Sequence, residues 1–413
     1  MHRARRAIAL GAAALLALTL SACSPEPATV VDRLPAQTEG QLPEEVRGQL
    51  QASVEHAMAA SGATGALVGV WVPWAGSWVT GVGSTALEGA AVEADMTFRA
   101  GPITRAMTCD VLYAVVDAGK VSLDDTVSGL LIGMDSLENV TLRQLCDSTS
   151  GLAGYTNQIL NRMLLNPTRP WVPKELIAYG MASGRSGEPG AAYRDSDTGY
   201  LLLGLALERA TGTPIAELYE QYVAEPLELT ATGLSASPAG DKPLPAYWAA
   251  NTEGKVDCSN LLDLTELSTS AGYAASGVTT DIAELGRYVQ ALATGARPYD
   301  ADARFAEPLQ ISSSQPSWFT AKGGTYQAGS LIGQYGSFPG YLTAAFADRE
   351  TGMTVAVVLN NSRGSSVIAR TLAWQLAAIG SKIPGADGNV SETALPWTAE
   401  SLTAVIDDNA ICS

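Results

Sequence analysis

Residues that could act as a nucleophile and its base are scarce in this chain. Its 413 residues include two histidines, and one of them, His2, lies in a basic and apolar N-terminal stretch. A Ser-His-Asp triad would therefore have to use His56. His56 stands next to Met58 in an amphipathic segment, which predicts a structural role. No Ser has Gly two residues away on both sides, so the nucleophile elbow of many hydrolases is absent.

Serine chemistry without histidine needs a Lys on the next helical turn. The amine of a Lys three residues after a Ser can take the hydroxyl proton. The residues three positions before the six lysines are Asp117, Trp171, Ala239, Thr252, Phe319 and Ile379. The sequence therefore contains no Ser-x-x-Lys pair.

The stretch FRAGPITRAMTC, residues 98–109, predicts the start of a helix. Proline suits the first helical turn, where its missing N–H has no intrahelical partner, so Pro102 favours a helix start there. Apolar residues at four-residue spacing follow, namely Ile103, Met107, Val111 and Val115. This spacing predicts a helix over 103–119.

Other elements follow from apolar periodicity. Runs rich in Val and Trp, GALVGVWV and GSWVTGVGST, predict an N-terminal hairpin, and residues 340–361 predict two strands around a turn from Asp348 to Gly352. Strands at both ends and helices between them predict one α/β domain with an inserted helical lobe. Helices are predicted at 44–61, 141–147, 173–183, 197–211, 214–224 and 281–294, with a closing helix in SSVIARTLAWQLAAIG.

Five stretches carry motifs in a collinear order. They are MTFRAGPITRAMTCDVLYAVVDAGKVSLDDTV, VTLRQLCDSTSGLAGY, EPGAAYRDSDTGYLLLGLALERATGTP, YVAEPLELTATGL and GQYGSFPGYLTAAFADRETGMTVAVVLNN. In this order they resemble the serine beta-lactamase and D,D-peptidase family, in particular class C beta-lactamases, D,D-carboxypeptidases and related esterases. The resemblance covers about residues 44–378. It implies an α/β fold of the beta-lactamase/transpeptidase type, with an antiparallel sheet built from the N- and C-terminal segments and flanked by helices.

The resemblance places Pro102 at the family's nucleophile position and Arg105 at its Lys position. Proline has no hydroxyl, and it also lacks the backbone N–H that would form half of the oxyanion hole. A guanidinium stays protonated and cannot serve as a base. The first motif has therefore lost nucleophile, base and one oxyanion donor together.

The other two motifs are altered as well. By resemblance, the family's Tyr-x-Asn falls on Asp195 and Asp197, and its Lys or His falls on Gln334, while Gly336 keeps the motif's glycine. We expect Arg105 to face the two carboxylates and to fill the former catalytic cleft as a paired, hydrogen-bonded plug.

Three hypotheses about function follow. The first is a protein without catalytic residues that binds a cell-wall peptide or another envelope protein, or leaves its cleft empty. The second is a hydrolase of the same class that uses Ser196, Thr104, Tyr193 or a water activated by Asp195. The third is a cation site at Asp195 and Asp197, but DSDTGY lacks the glycine and the distant Glu of an EF-hand loop. We therefore expect Asp197 to cap the helix near Thr198, and we expect neither a metal nor a cofactor.

The start of the chain predicts export. Three arginines precede an apolar run that is too short for a lasting membrane span. Leu20-Ser21-Ala22-Cys23 is similar to a bacterial lipobox, so we expect a signal peptide over 1–22 and acylation of Cys23; an ordinary cleavage site is the alternative. Lipid would hold the product at the outer face of a membrane. Residues 23–43 are predicted to be a linker, 44–379 the domain and 380–413 a polar, proline-broken tail.

Charge and cysteine content limit the partners. Without the signal peptide the chain has 22 basic residues against 42 acidic ones, a net charge of about −20. Nucleic acid and anionic lipid surfaces are poor partners for such a protein. Four further cysteines in an exported protein favour two disulfides, with free thiols as the alternative. The resemblance implies a bridge between Cys109 and Cys146, whose helices pack side by side in such proteins, and Cys258 and Cys412 are then expected to form the second.

Overall fold

The computed structural model describes residues 29–234, 240, 242–385 and 395–412. The predicted signal peptide and Cys23 lie outside the described residues, and the predicted division of the chain into four segments remains a prediction. Within the described ranges, no helix is both long and apolar enough to cross a membrane.

A large antiparallel sheet organises the molecule. Its strand order is β2-β1-β12-β11-β10-β9-β8-β7, and β3 with β6 and β4 with β5 form two-stranded ribbons. The strands are β1 (Gly65–Val72), β2 (Gly76–Gly83), β3 (Thr97–Arg99), β4 (Tyr247–Thr252), β5 (Lys255–Asp263), β6 (Thr279–Asp281), β7 (Leu309–Gln310), β8 (Phe319–Lys322), β9 (Thr325–Ala328), β10 (Leu331–Phe338), β11 (Tyr341–Asp348) and β12 (Thr354–Leu359).

Helices cover both faces of this sheet. They are α1 (Glu44–Ser61), α2 (Thr104–Asp117), α3 (Val127–Leu130), α4 (Leu142–Cys146), α5 (Thr156–Leu165), α6 (Pro173–Ala182), α7 (Asp197–Thr211), α8 (Ile215–Tyr219), α9 (Tyr273–Ser276), α10 (Ile282–Ala293), α11 (Ala301–Phe305), α12 (Ser366–Gly380) and α13 (Ala399–Asp407). Both α12 and α10 contact β10, β11 and β12. Because helices lie on both sides, every residue of β11 and β12 is buried.

The helical lobe is inserted between β2 and the later strands of the sheet. Its central element is α2, whose residues from Thr104 to Val115 are all buried and which packs against α7, α9 and α4. The predicted α/β architecture, with an antiparallel sheet from both ends of the chain and an inserted helical lobe, is confirmed.

Several elements differ from the sequence predictions. Strands β7 to β10 add to the sheet before residue 340, β4 and β5 form a ribbon, and α13 lies in the polar, proline-broken tail, for which no element is predicted. Residues 29–43 do not hang free, because Val30 and Leu42 are buried and the Thr38 N–H donates to the Pro73 carbonyl at 2.8 Å. The second half of the predicted linker therefore contacts the domain.

Two disulfides join the predicted cysteine pairs. Cys109 on α2 and Cys146 on α4 have Cα atoms 5.6 Å apart, and both are buried. Cys258 on β5 and Cys412 have Cα atoms 6.2 Å apart. The second bridge fixes the end of the C-terminal segment to the β4–β5 ribbon.

Candidate functional site

A cleft of about 510 Å³ lies where the start of α2 meets β10, α5 and α7. Tyr326 and Tyr335 form part of its wall. Its lining also includes five of the six motif positions, namely the altered Pro102, Arg105, Asp195 and Asp197 and the retained Gly336. The sixth, Gln334, is not among its lining residues.

Pro102 lies in a short 3-10 turn, Gly101–Ile103, that leads into α2. It is buried, and Gly336 on β10 packs directly against its ring. A Cβ atom added at Gly336 would lie 2.3 Å from Pro102 Cγ, which is far closer than atoms can approach without displacement. Gly336 therefore makes room for the proline ring at the position that the resemblance assigns to the nucleophile.

Arg105, one residue into α2, bonds Asp195 across the cleft. Its Nη1 donates to Asp195 Oδ1, and its guanidinium lies 5.2 Å from the centre of the Tyr200 ring. The Arg105 side chain is only 8% exposed, whereas that of Asp195 is 50% exposed. Burial alone would lower the pKa of Arg105, but the charge and hydrogen bond of Asp195, together with Tyr200 and Asp197, outweigh burial and raise the pKa. Arg105 is therefore a fixed positive charge. Of the two carboxylates expected to bond it, only Asp195 does so in the described part of the chain, and a cleft of about 510 Å³ remains beside the pair.

Asp197 has a different partner from the one predicted. Its carboxylate accepts the N–H of Tyr155 at 2.7 Å and that of Thr156 at 3.0 Å, and the Thr156 hydroxyl donates to it as well. These donors lie at the N-terminus of α5, where free N–H groups favour an anion. The prediction that Asp197 caps its own helix is wrong, because Ser196 caps α7 by accepting the Gly199 N–H.

Gln334 points its amide at the backbone. Its Nε2 donates to the Gly324 carbonyl at 2.9 Å, and its Oε1 accepts the Tyr335 N–H at 2.8 Å. Because β9 pairs with β10 only as far as Gly333, the later part of β10 has β11 on one side and the cleft on the other. The Gln334 side chain thus accepts the Tyr335 backbone N–H at the edge of β10 that β9 does not cover.

The alternative nucleophiles are engaged elsewhere. Thr104 is fully buried and accepts the Val278 N–H at 3.2 Å, and Ser196 is 1% exposed and caps α7. The Tyr193 hydroxyl pairs with that of Tyr326 at 2.7 Å, and burial raises the pKa of Tyr193 well above its usual value. Among the groups proposed from the sequence, Asp195 is the one that is half exposed in the cleft.

Sequence reasoning missed the aromatic wall. The rings of Tyr326 and Tyr335 lie 4.9 Å apart, and the guanidinium of Arg370 on α12 lies 5.2 Å from the Tyr335 ring. Tyr335 directly follows Gln334 in the third motif, so its place was available from the resemblance. Tyr326 lies on β9, a strand that the sequence reading did not detect.

Metal ligands do not gather at the cleft. In the described ranges, the His, Cys, Asp and Glu side chains form no group of three or more that could hold a metal ion. Asp195 binds Arg105, and Asp197 binds the start of α5. Both carboxylates thus have protein partners.

The family model for beta-lactamase matches residues 50–379 of this chain. The protein therefore belongs to the beta-lactamase family and has the fold of its serine hydrolases and penicillin-binding proteins.

Particular relatives are consistent with this assignment. A D-stereospecific amidohydrolase from Streptomyces superposes with a TM-score of 0.69 at 26% identity, covering 79% of this chain and 98% of that one. A D-amino acid amidase from Ochrobactrum anthropi shares the fold, with a TM-score of 0.67 at 19% identity over 77% of this chain and 92% of that one. PbpX of Bacillus subtilis, named as a candidate penicillin-binding protein, is 21% identical over 66% of this chain; the match spans 64% of that relative's length.

Proposed function

We propose that this protein is an exported, lipid-anchored member of the beta-lactamase family whose cleft binds a ligand without hydrolysing it. The observation that carries the proposal is the packing of Pro102 against Gly336, because the resemblance assigns Pro102 to the nucleophile position. Proline supplies neither a hydroxyl nor a backbone N–H. Losing one oxyanion donor alone costs about 10² to 10³ in rate, and here the nucleophile is absent too.

Arg105 supports the same conclusion from the base position. It remains positively charged and is held by Asp195, so it cannot take a proton from an attacking group. The two charges also keep the cleft polar, and its hydroxyls and amides suit a peptide. We propose a cell-wall peptide or a segment of another envelope protein as the ligand.

Hydrolysis assays test the catalytic part of the proposal. The purified protein is expected to take up no labelled penicillin and to turn over neither a chromogenic cephalosporin nor a small ester. An active penicillin-binding protein treated in parallel serves as the positive control. Labelling or turnover that survives repurification and is altered by Pro102→Ala would contradict the proposal.

A second candidate function is hydrolysis by a water molecule that Asp195 activates. The half-exposed Asp195 carboxylate in the cleft is the observation that favours it, because a positioned carboxylate can act as a general base. Turnover that is abolished by Asp195→Asn but retained in Asp124→Asn, an exposed acid outside the cleft, would establish this alternative.

Membrane attachment is tested separately. If Cys23 is acylated, the protein produced in a bacterial host will incorporate labelled palmitate and partition into detergent. The Cys23→Ser variant should lose both properties, and a wild-type protein that remains in the aqueous phase would contradict the anchor.

A further inference from the structure

We infer that the cleft recognises the N-terminal residue of a peptide, with the ligand's ammonium group at Asp195 and its first carbonyl at Arg105. The inference rests on the proposed function, because it names the ligand class of the same cleft. It goes further in specifying which end of a peptide enters and which two side chains hold it.

Arg105 offers a donor that the protein leaves unused. Its side chain is 8% exposed, and its Nε has no hydrogen-bond partner although it is buried. A buried N–H without an acceptor is unfavourable. That Nε has almost no accessible surface and cannot meet a ligand. Nη2, in contrast, makes no hydrogen bond to any described residue and is not among the buried atoms. Because Arg105 lines the cleft, Nη2 is the donor that a ligand carbonyl would meet.

Asp195 offers an acceptor beside that donor. Its Oδ1 accepts from Arg105 Nη1, and its side chain is half exposed. In the described parts of the chain, no hydrogen bond or ion pair engages its Oδ2. The second carboxylate oxygen is therefore available to a donor on the ligand.

Charge in the cleft favours a cationic donor over a neutral one. Arg105 carries one positive charge, while Asp195 and Asp197 carry two negative ones, and the other lining residues are uncharged. Asp197 is already bound by the start of α5, so it adds to the negative potential without contacting the ligand. The Tyr335 ring already faces the Arg370 guanidinium, so the preference for a cation rests on the carboxylates.

The spacing of the two groups selects the N-terminus of a peptide. Arg105 and Asp195 are directly hydrogen-bonded to each other, so a ligand that bonds both must carry its acceptor and its cationic donor close together. In an N-terminal residue, a single Cα separates the ammonium nitrogen from the first carbonyl carbon. N-acylation would remove the positive charge, and a free carboxylate at Asp195 would be repelled.

The test compares a peptide with and without its free amino group. Tri-alanine amide, in the L and the D form, is titrated calorimetrically into the wild-type protein, and each form is paired with its N-acetyl derivative. The free-amine peptide is expected to bind about ten- to a hundredfold more tightly in at least one series, as one charge-assisted hydrogen bond provides. The preference should fall as pH rises above about 8, where an α-amino group loses its proton.

Matched variants locate the contact. Asp195→Asn should abolish the preference, whereas Asp124→Asn, which removes the same charge outside the cleft, should retain it. If Asp195→Asn does not fold, the affinities of the wild-type protein for the free and the acetylated peptides still decide whether the amino group is recognised. Equal affinities for free and acetylated peptides, tighter binding of the acetylated form, or no binding of any form would overturn the inference.

These outcomes are separate from failure of the proposed function. Release of ammonia or of a shorter fragment from any of the four peptides would contradict a non-hydrolytic cleft, whatever the affinities are. Equal affinities without any hydrolysis product would leave the non-hydrolytic function intact and overturn the amine recognition alone.

Discussion

Replacing Asp195 by Ala is expected to destabilise the protein more than replacing Arg105 by Met. The two partners differ in burial, since the Arg105 side chain is 8% exposed and that of Asp195 is 50% exposed. Without Asp195, a buried guanidinium loses its counter-charge and keeps an unpaired Nε. Without Arg105, water can solvate the half-exposed carboxylate.

The magnitudes follow from this asymmetry. Removing one partner of a fully buried ion pair costs about 3–5 kcal/mol, and the nearby Tyr200 ring and Asp197 partly compensate the isolated guanidinium. We therefore expect Asp195→Ala to cost about 2–3 kcal/mol of the free energy of unfolding. Arg105→Met, which keeps most of the buried volume, should cost about 1 kcal/mol or less.

Urea denaturation with linear extrapolation measures both values. The surface pair of Arg143 and Asp124, whose side chains are 39% and 75% exposed, is the matched control, and Arg143→Met and Asp124→Ala should each change stability by no more than about 0.5 kcal/mol. Equal costs for the two cleft variants, or a larger cost for Arg105→Met, would refute the assignment of Arg105 as the buried member of the pair.

Three further predictions concern packing, pH and redox state. Gly336→Ala should lower the free energy of unfolding by about 1–3 kcal/mol because its new methyl group meets the Pro102 ring. A double-mutant cycle with Pro102→Gly should show that most of this loss depends on the ring, and additive losses would contradict the contact. Burial raises the pKa of Tyr341 to about 12, so the stability that this phenol contributes is present below about pH 10 and is lost as pH rises toward 12. Unfolding curves at increasing pH, combined with phenolate absorbance, measure this loss, and ionisation of Tyr341 at its usual pKa would contradict it. Mild reductant followed by alkylation and mass spectrometry should modify the part-exposed disulfide of the C-terminal segment before the buried one between α2 and α4, and the reverse order would contradict the burial.

The parts of the fold that sequence predicts well are those with a repeated apolar pattern. Helix α1, the β1–β2 hairpin and the closing helix α12 each carry such a pattern over eight residues or more. Strands β8 and β9 are only four residues long, too short for a period to stand out. Their turn did carry a signal, because Gly323 and Gly324 both have positive φ values of 60° and 76°, a conformation that glycine favours in hairpins.

Some residues of the candidate site were predictable from the sequence, whereas others depend on the packing of distant elements. The collinear motifs located Pro102, Arg105 and Asp195, and opposite charges at two of these positions predicted the ion pair that the structure contains. The partner of Asp197 was not predictable from local pattern, since it depends on how α5, 41 residues earlier in the chain, docks against α7. Local sequence patterns predict helices and strands, whereas contacts between elements that are distant in the chain can be identified only once the fold is known.

The mass of the intact protein after long exposure to acyl donors tests the central claim most directly. Wild-type protein is incubated with an excess of a penicillin, a small ester and a D-amino acid amide, and both the protein mass and the products are measured. If Pro102 occupies the nucleophile position, as we propose, the protein mass stays unchanged and products form no faster than in buffer. A covalent adduct that maps to the cleft, or product formation that Asp195→Asn abolishes, would contradict the account.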